Sequence, residues 1–103
     1  IERSKEIKEK GVDLIACVSV NDPFVMKAWG EDRNVGEDVM MLSDGNGEFT
    51  AAIGLEMDGS GFGLGTRSQR YAMIIDDGAV SVLNVEQGPG LDVSSADTVL
   101  EQL

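Results

Sequence analysis

A chain of 103 residues sits within the size of one small domain, and none of its segments approaches the roughly 18 consecutive apolar residues of a membrane-spanning helix, so a soluble protein is expected. A net charge of −11 and a pI near 4.1 leave no basic face for phosphate, which argues against nucleic acid and membranes as partners. The absence of histidine removes Ser-His-Asp and Cys-His catalysis and imidazole-based zinc sites, while the single cysteine, Cys17, excludes a disulfide within the chain and fits a reducing, cytoplasmic compartment.

The sequence opens at Ile1 directly on the charged run Glu2-Arg3-Ser4-Lys5-Glu6, with no secretory apolar region, and reads as a chain cut from a longer one. Residues 2–10 mix acids and bases around Ile7 and end at Gly11, which predicts the last turns of a helix begun upstream and closed by a glycine. Residues 12–20 form a nearly continuous apolar segment, the pattern of a central strand covered on both faces, with Cys17 upon it. Asp22-Pro23 then predicts a helix start, because the aspartate can accept backbone N–H bonds and proline needs no partner for a missing N–H at the first position. Phe24, Val25, Ala28 and Trp29 recur at the spacing of one face of that helix, and Gly30 with the polar residues after it marks the exit.

Residues 39–42 predict a second strand, the Ser43-Asp44-Gly45-Asn46-Gly47 stretch a turn, and Phe49, Ala52, Ile53 and Leu55 a further helix. A glycine-rich loop over 59–65 leads into an apolar run from Tyr71, and Asp76-Asp77-Gly78 turns the chain into a second run from Ala79, predicting an antiparallel hairpin. Ser94 with Asp97 three residues on resembles a capping box, and Ala96, Val99, Leu100 and Leu103 share a face of a closing helix. This order is α/β, with a central mixed sheet flanked by helices, and a thioredoxin-like fold satisfies it.

Each motif has a plain alternative. Residues 44–48 suggest a calcium loop, but Phe49 stands where the loop needs glycine and Leu55 where it needs glutamate, so a turn is preferred. The glycines of 59–65 fall at every second position and do not follow the dinucleotide fingerprint. Asp76 and Asp77 are turn residues ahead of Gly78 before they are a catalytic carboxylate pair. Arg67 and Arg70 stand out among only 8 basic residues; Arg70, at the entry to an apolar strand, either snorkels, pairs with one of the many acids, or serves a site. Cys17 on a buried strand reads as a small apolar residue, with a thiol pKa at or above about 8.5.

Three stretches together resemble the type II, atypical two-cysteine peroxiredoxins: the run from Cys17 through Asn21-Asp22-Pro23-Phe24 to Trp29, the Asp44-Gly45-Asn46-Gly47-Glu48-Phe49-Thr50 stretch, and Gly63-Leu64-Gly65-Thr66-Arg67-Ser68-Gln69-Arg70-Tyr71-Ala72. The likeness extends over essentially the whole chain, including Asn84-Val85-Glu86 and Ser94-Ser95-Ala96, and is nearest to proteobacterial and plant members. It implies an antioxidant thiol peroxidase of thioredoxin-like fold that needs no cofactor or metal. In such an enzyme a cysteine thiolate attacks hydrogen peroxide or an alkyl hydroperoxide, becomes a sulfenic acid, and is reduced by glutathione, glutaredoxin or thioredoxin, keeping cell redox balance.

The family signature is Pro-x-x-x-Thr-x-x-Cys, and Cys17 does not meet it, since Leu14 stands three residues earlier and Lys10 seven earlier. The resemblance therefore implies that residues 1–103 are the C-terminal part of a single peroxiredoxin domain, truncated before the peroxidatic cysteine segment and inactive alone. Arg70 matches the arginine that faces the peroxidatic sulfur and the peroxide. A guanidinium about 4 Å from a thiolate, at an effective dielectric near 20, offers about 4 kcal/mol, roughly three pKa units. Cys17 matches a position that acts as the resolving cysteine in some plant members, although others with this cysteine use external thiols, and a disulfide there needs Cα atoms within about 7 Å. Phe24 and Trp29 match the region of the family's homodimer contact, against an equally good reading as core. The alternative function is a non-catalytic truncated paralogue serving as an interaction or dimerisation module, and an organellar location is open if the source is eukaryotic.

Overall fold

The computed structural model describes residues 2–103, and the chain gathers into two compact units, the first running to Ser68 and the second from Gln69. In the first, α1 spans Ser4–Glu9, starting later than a helix already under way at residue 2. The Gly11 N–H bonds the Lys8 carbonyl at 3.0 Å with Gly11 at φ 95°, a conformation that closes a helix at no cost only for glycine.

Strands β1 (Ala16–Ser19) and β2 (Met40–Ser43) pair in parallel, with Cys17 opposite Met41 and Val18 opposite Leu42. Parallel neighbours need a crossover, and α2 (Pro23–Asp32) supplies it. Its start is the expected one: Asp22 Oδ1 accepts the Val25 N–H at 2.8 Å and Pro23 holds the first helical position. Its inward face is not. Met26, 1% exposed, and Gly30 are the buried residues, whereas Phe24 is 84% exposed and Trp29 41%. At about 100° per residue the aromatic stripe points to the opposite side of α2 from Met26 and Gly30. Gly30 lies inside the helix, which runs on to Asp32, and a Cβ there would sit 3.0 Å from Met41 Cγ and 3.3 Å from Val35 Cγ2. Glycine lets α2 lie close over β2.

The turn after β2 is organised by Asp44, whose Oδ1 accepts the Phe49 N–H at 3.0 Å and whose Oδ2 accepts the Thr50 N–H at 2.8 Å and the Thr50 hydroxyl at 2.6 Å. Asp44 and Thr50 are buried, and these donors, the Thr50 hydroxyl foremost, hold the carboxyl below the usual carboxylate range. The acid thus satisfies the first N–H groups of α3 (Glu48–Ala52), which would otherwise be orphaned.

Two short strands absent from the sequence reading follow, β3 (Glu56–Asp58) and β4 (Thr66–Ser68), paired antiparallel around a single 3-10 turn, Ser60–Phe62. The loop between them is pinched shut by the Gly59 N–H bonding the Gly65 carbonyl at 2.7 Å. A Cβ at Gly59 would lie 2.9 Å from Leu64 Cβ, while one at Gly61 would meet nothing within 4 Å.

The second unit is the predicted hairpin, β5 (Tyr71–Asp76) with β6 (Ala79–Val85), and a closing helix α4 (Ala96–Gln102). Asp77 and Gly78 have φ of 51° and 79°, the positive pair of a two-residue primed turn matched to strand twist. Ile74 pairs Val82 and Ile75 pairs Val80, leaving Ser81 as a bulge whose hydroxyl donates to the Ile74 carbonyl at 3.2 Å. The cap of α4 is Ser95, whose Oγ accepts the Thr98 N–H at 3.2 Å, and not Ser94 as the capping-box spacing predicts. Asn84 and Gln102 exchange side-chain amide bonds at 2.7 and 3.3 Å, tying β6 to α4. Among the described residues the strands form three two-stranded ladders, one parallel and two antiparallel, flanked by helices. No helix among those residues is long and apolar enough to cross a membrane.

Candidate functional site

Arg70 follows β4 and stands immediately before β5, where the ladder continues through the Glu86 N–H bonding the Arg70 carbonyl at 3.0 Å. The backbone there is fixed, yet the residue is exposed, and among the described residues its guanidinium has no ion pair or hydrogen bond. In a chain with 19 acids and 8 bases, an unpaired cation on an ordered strand root is a candidate for binding an anion. Sequence reasoning did not give Glu86 a role. Its Oε2 accepts the Ser94 hydroxyl at 2.6 Å and the Asp92 and Ser94 N–H groups at 2.8 Å each. Those donors, led by the Ser94 hydroxyl, lower the carboxyl from 4.5 to about 2.

Cys17 is half-buried on β1, and burial pushes its thiol upward, so the thiolate that nucleophilic chemistry requires is disfavoured. Phe24 and Trp29 share α2, and Cys17 lies on the strand leading into that helix; Arg70 belongs to the second unit. An open groove of about 740 Å³ lies between α2 and β2, lined by Met26, Gly30, Met40 and Met41 among others, and neither Cys17 nor the two aromatics of α2 line it.

Arg67 was noticed in the sequence without a part to play. Its Nε donates to the Leu64 carbonyl at 2.9 Å, and its Nη1 donates to the Val20 carbonyl at 2.6 Å and to Asn21 Oδ1 at 3.1 Å. The guanidinium fork thus ties β4 to the loop that opens α2. Asn21 is further bonded, its Nδ2 donating to Ser19 Oγ at 2.8 Å and its carbonyl accepting from Ser43 Oγ at 2.6 Å. The signal available in sequence was a basic residue two positions after a glycine in a strand of polar residues, which does not specify partners 46 and 47 positions away.

A family model described as Redoxin matches residues 1–100. Peroxiredoxin-2E-2, chloroplastic, of Oryza sativa subsp. japonica is 56% identical over 106 residues, covering 100% of this chain and 47% of that protein. Peroxiredoxin-2B of Arabidopsis thaliana is 52% identical over 103 residues, covering 100% of this chain and 64% of that protein. Among solved structures, reduced Prx3 from Vibrio vulnificus in complex with H2O2 superposes with a TM-score of 0.94 at 60% identity, covering 100% of this chain and 66% of that one. The chain therefore spans about half to two-thirds of the length of the relatives it matches. The thioredoxin-like α/β fold expected from the element order is the fold of these neighbours. Matched over nearly its whole length, the chain belongs to the redoxin family.

Proposed function

We propose that the chain is the C-terminal part of a single peroxiredoxin domain in a thiol-dependent peroxidase that reduces hydrogen peroxide and alkyl hydroperoxides. In this reading a cysteine outside residues 1–103 supplies the thiolate. It attacks the terminal peroxide oxygen, the O–O bond breaks, the departing alkoxide or hydroxide takes a proton from solvent to become an alcohol or water, and a sulfenic acid remains for glutathione, glutaredoxin or thioredoxin to reduce. Arg70 supplies positive charge to the thiolate and to the leaving oxygen. The observation that carries this is the exposed guanidinium of Arg70 on an ordered strand root, in a chain of this family. No cofactor is needed for the reaction. Cys17 is at most a resolving thiol, because burial raises its pKa and it would attack a sulfenic acid, releasing water, only after local opening freed it.

The exposed Phe24 and Trp29 favour a homodimer through α2, which serves the peroxidase reading and the alternative of a non-catalytic interaction module alike. The cytoplasm is the proposed location, with relatives named chloroplastic and mitochondrial marking organelles as the other choice. The test is a paired assay with peroxide and a reducing thiol system. The isolated 103-residue chain turns over no faster than buffer, and a longer protein carrying Pro-x-x-x-Thr-x-x-Cys in frame before Ile1 turns over. Substantial turnover by the isolated chain would overturn the role given to Cys17. A start codon at that position, without the signature, would favour the interaction module.

A further inference from the structure

The ladder of the second unit pairs Tyr71 with Val85, and the Glu86 N–H continues it to the Arg70 carbonyl at 3.0 Å. Arg70 and Glu86 are thus cross-strand neighbours. Residues opposite one another in an antiparallel pair put their side chains on the same face within reach, and an arginine facing a glutamate there ordinarily forms an ion pair. Here it does not. Among the described residues no ion pair joins them, and the Glu86 carboxylate is turned to the loop beyond it. There Oε2 takes the Asp92 N–H at 2.8 Å, the Ser94 N–H at 2.8 Å and the Ser94 hydroxyl at 2.6 Å. The Gln87-Gly88-Pro89-Gly90-Leu91 segment brings residues 92–94 back to the end of β6. Three donors on one oxygen make a stronger hold than one exposed guanidinium offers.

We propose that residues 87–94 form a latch that sequesters the Glu86 carboxylate, so that the acid standing opposite Arg70 does not neutralise it and the guanidinium stays open to an anionic sulfur or oxygen. Ser94 and Glu86 are positioning residues in this scheme, acting through Arg70. Only the identity of the anion rests on the peroxidase reading; the sequestration itself stands without it. The arrangement also accounts for the shift of the α4 cap to Ser95, since Ser94 is spent on Glu86.

The test is done on the 103-residue chain with phenylglyoxal, which modifies accessible guanidinium groups, the rate at each arginine being read by mass spectrometry of its peptide. Because no peroxide is involved, its outcome is independent of whether the chain serves a peroxidase. Arg67, bound to three oxygens, is the internal reference. Ser94→Ala releases Glu86 toward Arg70 and slows modification of Arg70 about two- to fivefold, the factor an exposed ion pair provides. Glu86→Gln alone leaves the Arg70 rate unchanged, and adding it to Ser94→Ala restores the original rate. An unchanged Arg70 rate in Ser94→Ala, or a faster one in Glu86→Gln, overturns the latch. A second measurement does not depend on Ser94→Ala folding: the Glu86 titration followed by NMR stays in place in Arg70→Gln. Movement of that midpoint upward by more than about half a unit would mean that Arg70 already pairs with Glu86, which overturns the proposal.

Discussion

Two arginines three residues apart have opposite fates. Arg67, half-buried on β4, spends its fork on the Leu64 and Val20 carbonyls and the Asn21 amide oxygen, all neutral acceptors. Arg70, exposed at the root of the next hairpin, has its backbone held and its charge uncommitted among the described residues. The first arginine organises its unit, and the second is available to whatever approaches it. Acids abound in this chain, so the distinction lies in geometry: carbonyls converge on Arg67, while the acid opposite Arg70 on the ladder is occupied elsewhere.

The largest expected effect is on Arg70. In a peroxidase carrying this chain, Arg70→Ala should lower kcat/KM by about 10²-fold or more, with Arg70→Lys recovering only part, since an ammonium lacks the fork. A loss under about twofold would break the comparison. Next is Arg67→Ala, expected to destabilise the first unit by about 2 kcal/mol by leaving two part-buried acceptors and an exposed one short, read as a shift in urea midpoint; an unchanged midpoint would make Arg67 as idle as Arg70.

Asp22→Ala removes the α2 cap and should cost about 1 kcal/mol. Because Arg67 holds the adjacent Asn21, the double variant should fall short of additivity in the same denaturation series. The smallest effect is local and concerns pH. Glu86 is lowered in the folded chain from 4.5 to about 2, so its contribution is full above 4.5 and is lost as pH falls from there toward 2. Amide NMR signals of Asp92 and Ser94 should titrate near the lower value, whereas those around Arg67, which binds neutral oxygens, should not follow them.

Elements governed by neighbours in sequence were legible before any coordinates. Asp22-Pro23 starts α2 and Asp77-Gly78 turns the hairpin because capping and positive φ are local requirements. Elements governed by distant partners were not. β3 and β4 carry no apolar alternation and owe their place to the Gly59–Gly65 bond and the Arg67 fork. The apolar stripe on α2 was visible, but periodicity does not say which side has a neighbour, and the side chosen by Gly30 and Met26 was the other one. Ser94 and Ser95 are equal as caps until Glu86 claims one of them. Arg70 came forward through family resemblance, while Glu86, whose partners lie six and eight residues on across a glycine-proline loop, could not be seen to act on it.

The pinched loop between β3 and β4 has a consequence for tolerance to change. Its glycines look alike on the page, yet at Gly59 even one methyl group collides with Leu64 and the Gly65 carbonyl, while at Gly61 it meets open space. Tags, labels and extra residues can therefore enter this loop at Gly61, where lengthening it is cheap in closure entropy, and leave the bonded ends that seat Arg67 undisturbed.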